Sequence, residues 1–235
     1  MGTQRFDLPV AVTLRLQSRA GRVDVVAEPR DDVLVEGDRI EALTEDGGAT
    51  MKIRNGAGSK AFVVRCPAGT DVTVGTQSGP VRLTGDFGIV SVTTMSGKIE
   101  VESADEADLR AVAGSVEIGR CRGRCRLNSG SGKVTAHDLA AGSAGTMSGT
   151  IRIDRVNGAF KARTVSGSID AICGGEGAIA IKTVSGKIHI QLPVGVEPHT
   201  RFKTLSGRVR CDCTEGDDLL LEAMTISGSI EVVPG

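Results

Sequence analysis

The chain has 235 residues, a net charge of −1 and 24% charged residues, so it carries no overall basic field of the kind that holds nucleic acid or an anionic membrane. Glycine accounts for 32 residues, about twice its usual share, whereas there are five Phe and no Tyr or Trp. The 40% of hydrophobic residues excludes disorder, and the scarcity of rings argues against one thick compact core.

Residues 1–75 alternate apolar and polar side chains over short runs, a pattern typical of β-strands. The runs lie at residues 23–25, 33–35, 51–53 and 62–64, with acidic turns at 31–32 and 45–48. We interpret residues 1–75 as an N-terminal β portion that starts and caps the stack of repeats after it, because terminal repeats are usually atypical.

From residue 76 onward a short motif, Thr-x-Ser-Gly-x-(Val/Ile), recurs nine times with some variation. Its glycines recur at nearly constant spacing, and they are Gly79, Gly97, Gly114, Gly132, Gly149, Gly167, Gly186, Gly207 and Gly228. Self-similarity at a fixed short period indicates a repeat architecture. We therefore assign residues 76–235 to the β-solenoid repeats, which continue directly from the N-terminal β portion.

Strand parity assigns the residues of each repeat to two faces. The residues two and four positions after each motif glycine are almost all apolar, as Ile169 and Ala171 are in one repeat. They share their parity with the residue two before the glycine, such as Val165. This pattern predicts that all three face inward, and that the motif Thr and Ser face water.

The repeat period of about 18 residues is too short for a propeller blade, and it shows no helical pattern. The prediction is an all-β fold, a single-stranded β-solenoid resembling a parallel β-helix, with coils of about 18 residues and an N-terminal β cap. Such thin coils need repeated mid-sized residues, which explains the scarcity of aromatic rings.

The repeated Thr and Ser would form stacked hydroxyl columns, which are a candidate interaction ladder. One interpretation is a flat binding face of the kind seen in ice-binding solenoids, and the other is ordinary outward sheet positions that bond locally. The candidate residues are Thr76, Ser78, Thr94, Ser96, Thr146, Ser148, Thr164, Ser166, Thr183, Ser185, Thr204, Ser206, Thr225 and Ser227.

The chain ends within a strand pattern, which suggests an uncapped last coil. Ile230, Val232 and Val233 would then lie at an exposed strand edge where two copies could associate. This end is the predicted self-association site.

Cysteines and histidines offer weaker candidates. Cys121 with Cys125, and Cys211 with Cys213, do not have the usual C-x₂-C spacing of a zinc site, and Cys211 falls at an inner position. We interpret Cys211 as a small hydrophobe and expect Cys66, which precedes Pro67, to be another buried thiol. His189 is expected to face outward beside Asp170 and Arg210, without a nucleophile nearby.

The residues also resemble a known group. Gly21-x-Val23-x-Val25, Pro67-x-Gly69 before Val72-x-Val74, and the Ser-Gly-x-Ile/Val repeats are similar to the bacterial "putative adhesin" family of β-strand-repeat proteins. The resemblance implies a β-solenoid over nearly the whole chain. It implies no catalytic residue.

The sequence thus favours a non-enzymatic scaffold or protein-interaction module in the bacterial cytoplasm, with a protein partner or a second copy of itself. An adhesin-like or ligand-binding module that uses the hydroxyl ladder is the alternative, and an enzyme with a groove site is a third. No cofactor or metal motif is visible, and neither a signal peptide nor a membrane-spanning run of about 20 apolar residues is present.

Overall fold

The computed structural model describes residues 2–7, 12–38, 40–45, 49–55 and 61–235, and these residues form β-strands and no helix. The predicted all-β class is therefore confirmed. The chain divides into two compact units, Met1–Gly119 and Arg120–Gly235. The described part contains no helix that could span a membrane. The acidic turn predicted at 45–48 lies largely outside the described residues.

Unit 1 contains ten strands and the beginning of an eleventh within its described residues. They are β1 (Gly2–Asp7), β2 (Thr13–Ser18), β3 (Arg22–Glu28), β4 (Asp32–Gly37), β5 (Ile40–Glu45), β6 (Thr50–Asn55), β7 (Ala61–Pro67), β8 (Asp71–Ser78), β9 (Val81–Ser96), β10 (Ile99–Ala113) and the start of β11 (Val116–Ser131).

Successive layers of unit 1 pair in parallel, and equivalent residues of the repeat lie opposite each other. Thr76 pairs with Thr94, and Val81 pairs with Ile99. The stack does not follow chain order throughout, because β2 pairs in parallel with both β6 and β8. Likewise, β3 pairs with both β7 and β9. The layer made by β2 and β3 is thus inserted between two later ones.

Three strand pairs of unit 1 are antiparallel. β1 pairs with β4, β4 pairs with β7, and β5 pairs with β6. The β4–β7 and β5–β6 pairings occupy edges of β7 and β6 that the parallel stack would otherwise leave open, and β1 adds to the other edge of β4. The N-terminal segment therefore contributes two kinds of strand, some within the stack and some along its edge.

Unit 2 contains the rest of β11 and ten further strands. They are β12 (Val134–Ser148), β13 (Ile151–Val156), β14 (Phe160–Ser166), β15 (Ile169–Cys173), β16 (Ala178–Ser185), β17 (Ile188–Leu192), β18 (Pro198–Ser206), β19 (Val209–Cys211), β20 (Leu219–Ser227) and β21 (Ile230–Pro234).

Unit 2 also departs from chain order. β14 pairs with β16, but the next neighbour of β16 is β20, which in turn pairs with β18. In the second column β17 pairs with β21, and β21 pairs with β19. The last strands of the chain therefore lie inside the stack. Within the described residues, β18 and β19 have a strand neighbour on one side only.

The core of each unit consists of columns of apolar side chains, many of them β-branched. In unit 2 one column runs through Val134, Ile151, Ile169, Ile188 and Ile230, and none is more than 1% exposed. Burying each such side chain is worth about 2–3 kcal/mol relative to leaving it exposed. The predicted inward positions after the motif glycine are confirmed for these repeats.

The positions before the glycine are a correction to the predicted parity. Thr164 is 4% exposed, whereas Val165 is 49% exposed, so the threonine faces inward and the valine outward. The cause is the bend at Gly167, whose φ of +141° interrupts the alternation of the strand. A Cβ on Gly167 would collide with the carbonyl oxygen of Gly149, so only glycine fits between the layers.

Candidate interaction surface

The parity switch creates a line of exposed apolar side chains along unit 2. Each of these residues comes directly after a buried or half-buried motif threonine. The motif threonines or serines of neighbouring strands pair with each other, and these pairs show which exposed residues are neighbours. We call this line the apolar ladder. In stacking order its members are Met147 (67% exposed), Val165 (49%), Val184 (44%), Ile226 (52%) and Leu205 (86%).

The same strands carry basic side chains on their outward positions. Between the buried residues of β14, β16 and β18, the outward side chains include Lys161, Arg163, Lys182, Arg201 and Lys203. We call these five the basic rows. The only acidic residue on these strands and β20, all of which the structure describes, is Glu222, which lies 3.6 Å from Arg201. Among the described residues, none forms an ion pair with Arg163, Lys182 or Lys203.

The strands that follow the motif glycines carry a different surface, because their charges are paired. The Arg152 Nε donates to Asp154 at 2.9 Å, and Lys187 Nζ lies 2.6 Å from Glu231. The Arg152 guanidinium lowers the pKa of Asp154, and Lys187 lowers the pKa of Glu231. Exposed pairs of this kind contribute little to stability, but they leave this face nearly neutral.

Unit 1 has a shorter version of the ladder. The equivalent positions are Gln77, Met95 and Val112, of which the last two are 59% and 62% exposed. The nearby Arg110 is held by Asp108, whose carboxylate it contacts at 2.7 Å. The combination of a long apolar line and unpaired cations is thus a feature of unit 2.

The hydroxyl columns predicted as one outward ladder lie on both sides of the sheet. The motif serines Ser78, Ser96, Ser148, Ser166, Ser185, Ser206 and Ser227 are exposed as expected. The threonines Thr76, Thr94, Thr146, Thr164, Thr183 and Thr225 are buried, and Thr204 is half-buried, so they cannot form an outer binding column. Sequence reasoning therefore missed the apolar ladder, because it assigned those apolar residues to the core.

The predicted self-association end is also corrected. Ile230 and Val232 are 1% and 0% exposed, and β21 has a parallel neighbour on each side. Val233, which is half-buried, pairs with Gln191. The C-terminal segment therefore offers no open edge, and in the described part of unit 2 the strands β18 and β19 have one neighbour each.

Whether a cysteine is buried or exposed depends on the position of its layer in the stack. Cys66 is buried as predicted, and burial raises its pKa to about 11 and that of Cys173 to about 12. Cys211 pairs with Val232 in an inner column, yet it is exposed because its layer is covered on one side only. Among the described residues, no three His, Cys, Asp or Glu side chains are grouped in a way that could hold a metal ion.

His189 pairs with Asp170 across neighbouring strands, as expected. Its other neighbour is Glu231, with 3.4 Å from Nδ1 to Oε2, and not the predicted Arg210. The insertion of β21 between β17 and β19 accounts for this difference.

A comparison with protein-family profiles relates this chain to known proteins. The Toastrack DUF4097 profile matches residues 22–232. The chain belongs to the Toastrack DUF4097 family. No curated protein matches the Toastrack chain. The predicted resemblance to β-strand-repeat "putative adhesin" proteins is confirmed at the level of the family.

Three solved structures show what this Toastrack chain is similar to. A "putative adhesin" from Bacteroides fragilis is 12% identical, with 98% of this chain and 96% of that chain covered and a TM-score of 0.38. A "putative lipid binding protein" from Parabacteroides distasonis is 16% identical, with 99% and 96% covered and a TM-score of 0.49. A "putative adhesin" from Parabacteroides distasonis is 13% identical, with 99% and 96% covered and a TM-score of 0.45.

Proposed function

We propose that this Toastrack protein is a non-enzymatic β-solenoid scaffold that binds a protein partner. Each repeat of about 18 residues supplies one coil, and the N-terminal β portion caps the stack. The observation that carries the proposal is the apolar ladder of unit 2, since five exposed large hydrophobics in consecutive layers are unusual on a surface without a binding role.

The placement of the protein in a reducing compartment is part of the proposal. All six cysteines are free thiols, and four of them are buried in the core. Proteins of oxidising compartments usually use such residues as disulfides. A cytoplasmic protein with reduced thiols is therefore the interpretation that we favour.

Self-association is part of the same proposal, and its site is the edge formed by β18 and β19. The outward side chains of β18 in this edge are basic, with Arg201 and Lys203, whereas Arg210 on β19 is paired with Asp212 at 2.8 Å. Two such edges brought together would place like charges opposite each other. Contact between copies should therefore be weak at low salt.

The test compares proteins that co-purify with the wild-type chain and with a ladder variant at native expression level. Replacing Val165 and Val184 by Asp places two charges on the ladder at exposed positions. The matched control is Ile172→Asp, on the paired-charge face of the same unit, where Ile172 is 42% exposed. A scaffold that uses the ladder has a stoichiometric partner that the control retains and the ladder variant loses. The absence of any stoichiometric partner of the wild-type protein would contradict the proposal.

An adhesin-like or ligand-binding module is the second candidate, and the row of exposed motif serines favours it. Such a row can present hydroxyls at each layer to an extended ligand. The same purification separates the two functions, because replacing Ser166 and Ser185 by Ala alters that row and leaves the apolar ladder intact.

A further inference from the structure

We propose that the apolar ladder and the basic rows of unit 2 form one docking site for an acidic amphipathic helix of a partner protein. This inference rests on the proposed scaffold function and names the chemistry of its partner. Its evidence is the geometry of the ladder, the composition of its exposed residues and the sign of the charge beside it.

The ladder has the length and spacing of a helix face. Neighbouring strands lie about 4.8 Å apart, so five layers extend over about 19 Å. A helix advances about 5.4 Å per turn, and about 13 residues cover that length with one apolar residue per turn. An extended peptide places the side chains of one face about 6.6 Å apart, which is wider than the spacing of the layers. Its side chains therefore stop matching the ladder residues after two layers. The spacing therefore favours a helix over a strand.

The exposed residues suit a line contact with protein. Val165 and Val184 are each about half-exposed, so they form a low ridge between the serine row and the basic rows. The large exposed hydrophobics among the described residues include no aromatic ring. Membrane-surface contacts typically combine aromatic rings with Leu that enters the acyl boundary, and the ladder has one leucine, Leu205, and no ring. A ridge one residue wide fits the apolar stripe of a helix better than it fits a bilayer.

The positive charge beside the ladder indicates that the partner surface is negatively charged. Arg163, Lys182 and Lys203 lie two residues before ladder members on the same strands and form no ion pair with another described residue. Glu or Asp on the flanks of a docked helix would meet these cations. A second copy of this chain would instead present its own basic rows, so charge complementarity selects an acidic partner.

The direct test uses a defined probe and the full-length protein. The probe is a fluorescein-labelled peptide of about 14 residues with Leu at helical spacing on one face and Glu on the flanks, and its binding is followed by anisotropy. The comparison peptide has the same composition in scrambled order. The proteins are wild type, Val165→Asp with Val184→Asp, Arg163→Glu with Lys182→Glu, and the control Ile172→Asp. A parallel arm measures co-sedimentation with vesicles that contain two parts phosphatidylcholine to one part anionic phosphatidylglycerol.

We expect the amphipathic peptide to bind wild type and Ile172→Asp equally. The ladder variant and the charge-reversal variant should each bind it at least about tenfold more weakly, as should wild type with the scrambled peptide. Equal binding of both peptides, or no loss in the ladder variant, would overturn the proposal. Binding of the vesicles but not the peptide would assign the face to a membrane and overturn it too. If wild type retains a ladder-dependent partner in purification but ignores the peptide, the helix proposal fails and the scaffold function stands.

Discussion

Ser185 on β16 pairs with Ser227 on β20, although Ser206 is the next motif serine along the chain. Ser206 instead pairs with the other side of β20, at Ser227. The last repeat therefore lies inside the stack, and the preceding repeat forms its edge. A side-chain contact reinforces this arrangement, since Asp218 Oδ2 accepts a hydrogen bond from the Glu197 amide at 2.8 Å.

The edge gives a prediction about salt and self-association. If β18 and β19 are the contact between copies, their like charges repel at low ionic strength and are screened at higher salt. Light scattering should show a monomer at about 20 mM salt and a concentration-dependent increase in mass at about 500 mM salt. Replacing Arg201 and Lys203 by Gln should shift the increase to lower salt. Association that is strongest at low salt would contradict this assignment.

The motif glycine gives a prediction about stability. Gly167→Ala should lower the free energy of unfolding by about 3 kcal/mol or more, because its Cβ would collide with the Gly149 carbonyl oxygen. The control is Gly195→Ala, where φ is also positive at +87° but nothing lies within 4 Å of the new Cβ. That change should cost about 1–2 kcal/mol. Equal losses in urea unfolding would show that close contact between layers is not what requires glycine.

The buried threonines give a prediction of increased stability. The Thr164 hydroxyl is buried and has no hydrogen-bond partner among the described residues. Thr164→Val keeps the shape and removes the unsatisfied group, so we expect stabilisation by about 1 kcal/mol. Thr76 is the matched control, because its hydroxyl donates to the Ser78 carbonyl oxygen at 3.2 Å. Thr76→Val should be destabilising in the same unfolding experiment, and destabilisation by both changes would contradict this interpretation.

Much of the fold could be predicted because the apolar pattern of the repeat is regular at the positions that follow each motif glycine. Ile151, Ile169 and Ile188 occupy successive inner positions as expected. Two features could not be predicted. Repeats with the same columns fit one another in any order, so nothing in Ile230 signals that β21 lies beside β17. The residues before the glycine also fit either face by their chemistry, and only the bend decides that Val165 is outside.

The paired-charge face gives a prediction about pH. Arg152, followed by His137, lowers the pKa of Asp154 below its ordinary value of 3.8. A carboxylate with a depressed folded pKa stabilises the fold above its unfolded pKa, and this stabilisation is lost as the pH falls through the folded pKa. Asp154→Asn should therefore be less stable than wild type at pH 7, and the difference should shrink at pH 2.5. A constant difference in urea unfolding across this range would show that the carboxylate charge does not matter.

Each motif glycine reverses the two faces of its strand, so that the apolar ladder is outside and the threonines are inside. The most direct test introduces one cysteine at a time into a background with Cys211→Ser and Cys213→Ser, because the native Cys211 is exposed and the native Cys213 is half-exposed. The two variants are Val165→Cys and Thr164→Cys, and the measurement is the rate of iodoacetamide labelling of the folded protein. We expect fast labelling at position 165, and protection at position 164 until the protein unfolds. Fast labelling at 164 with protection at 165 would restore the simple alternation and contradict the surface described above.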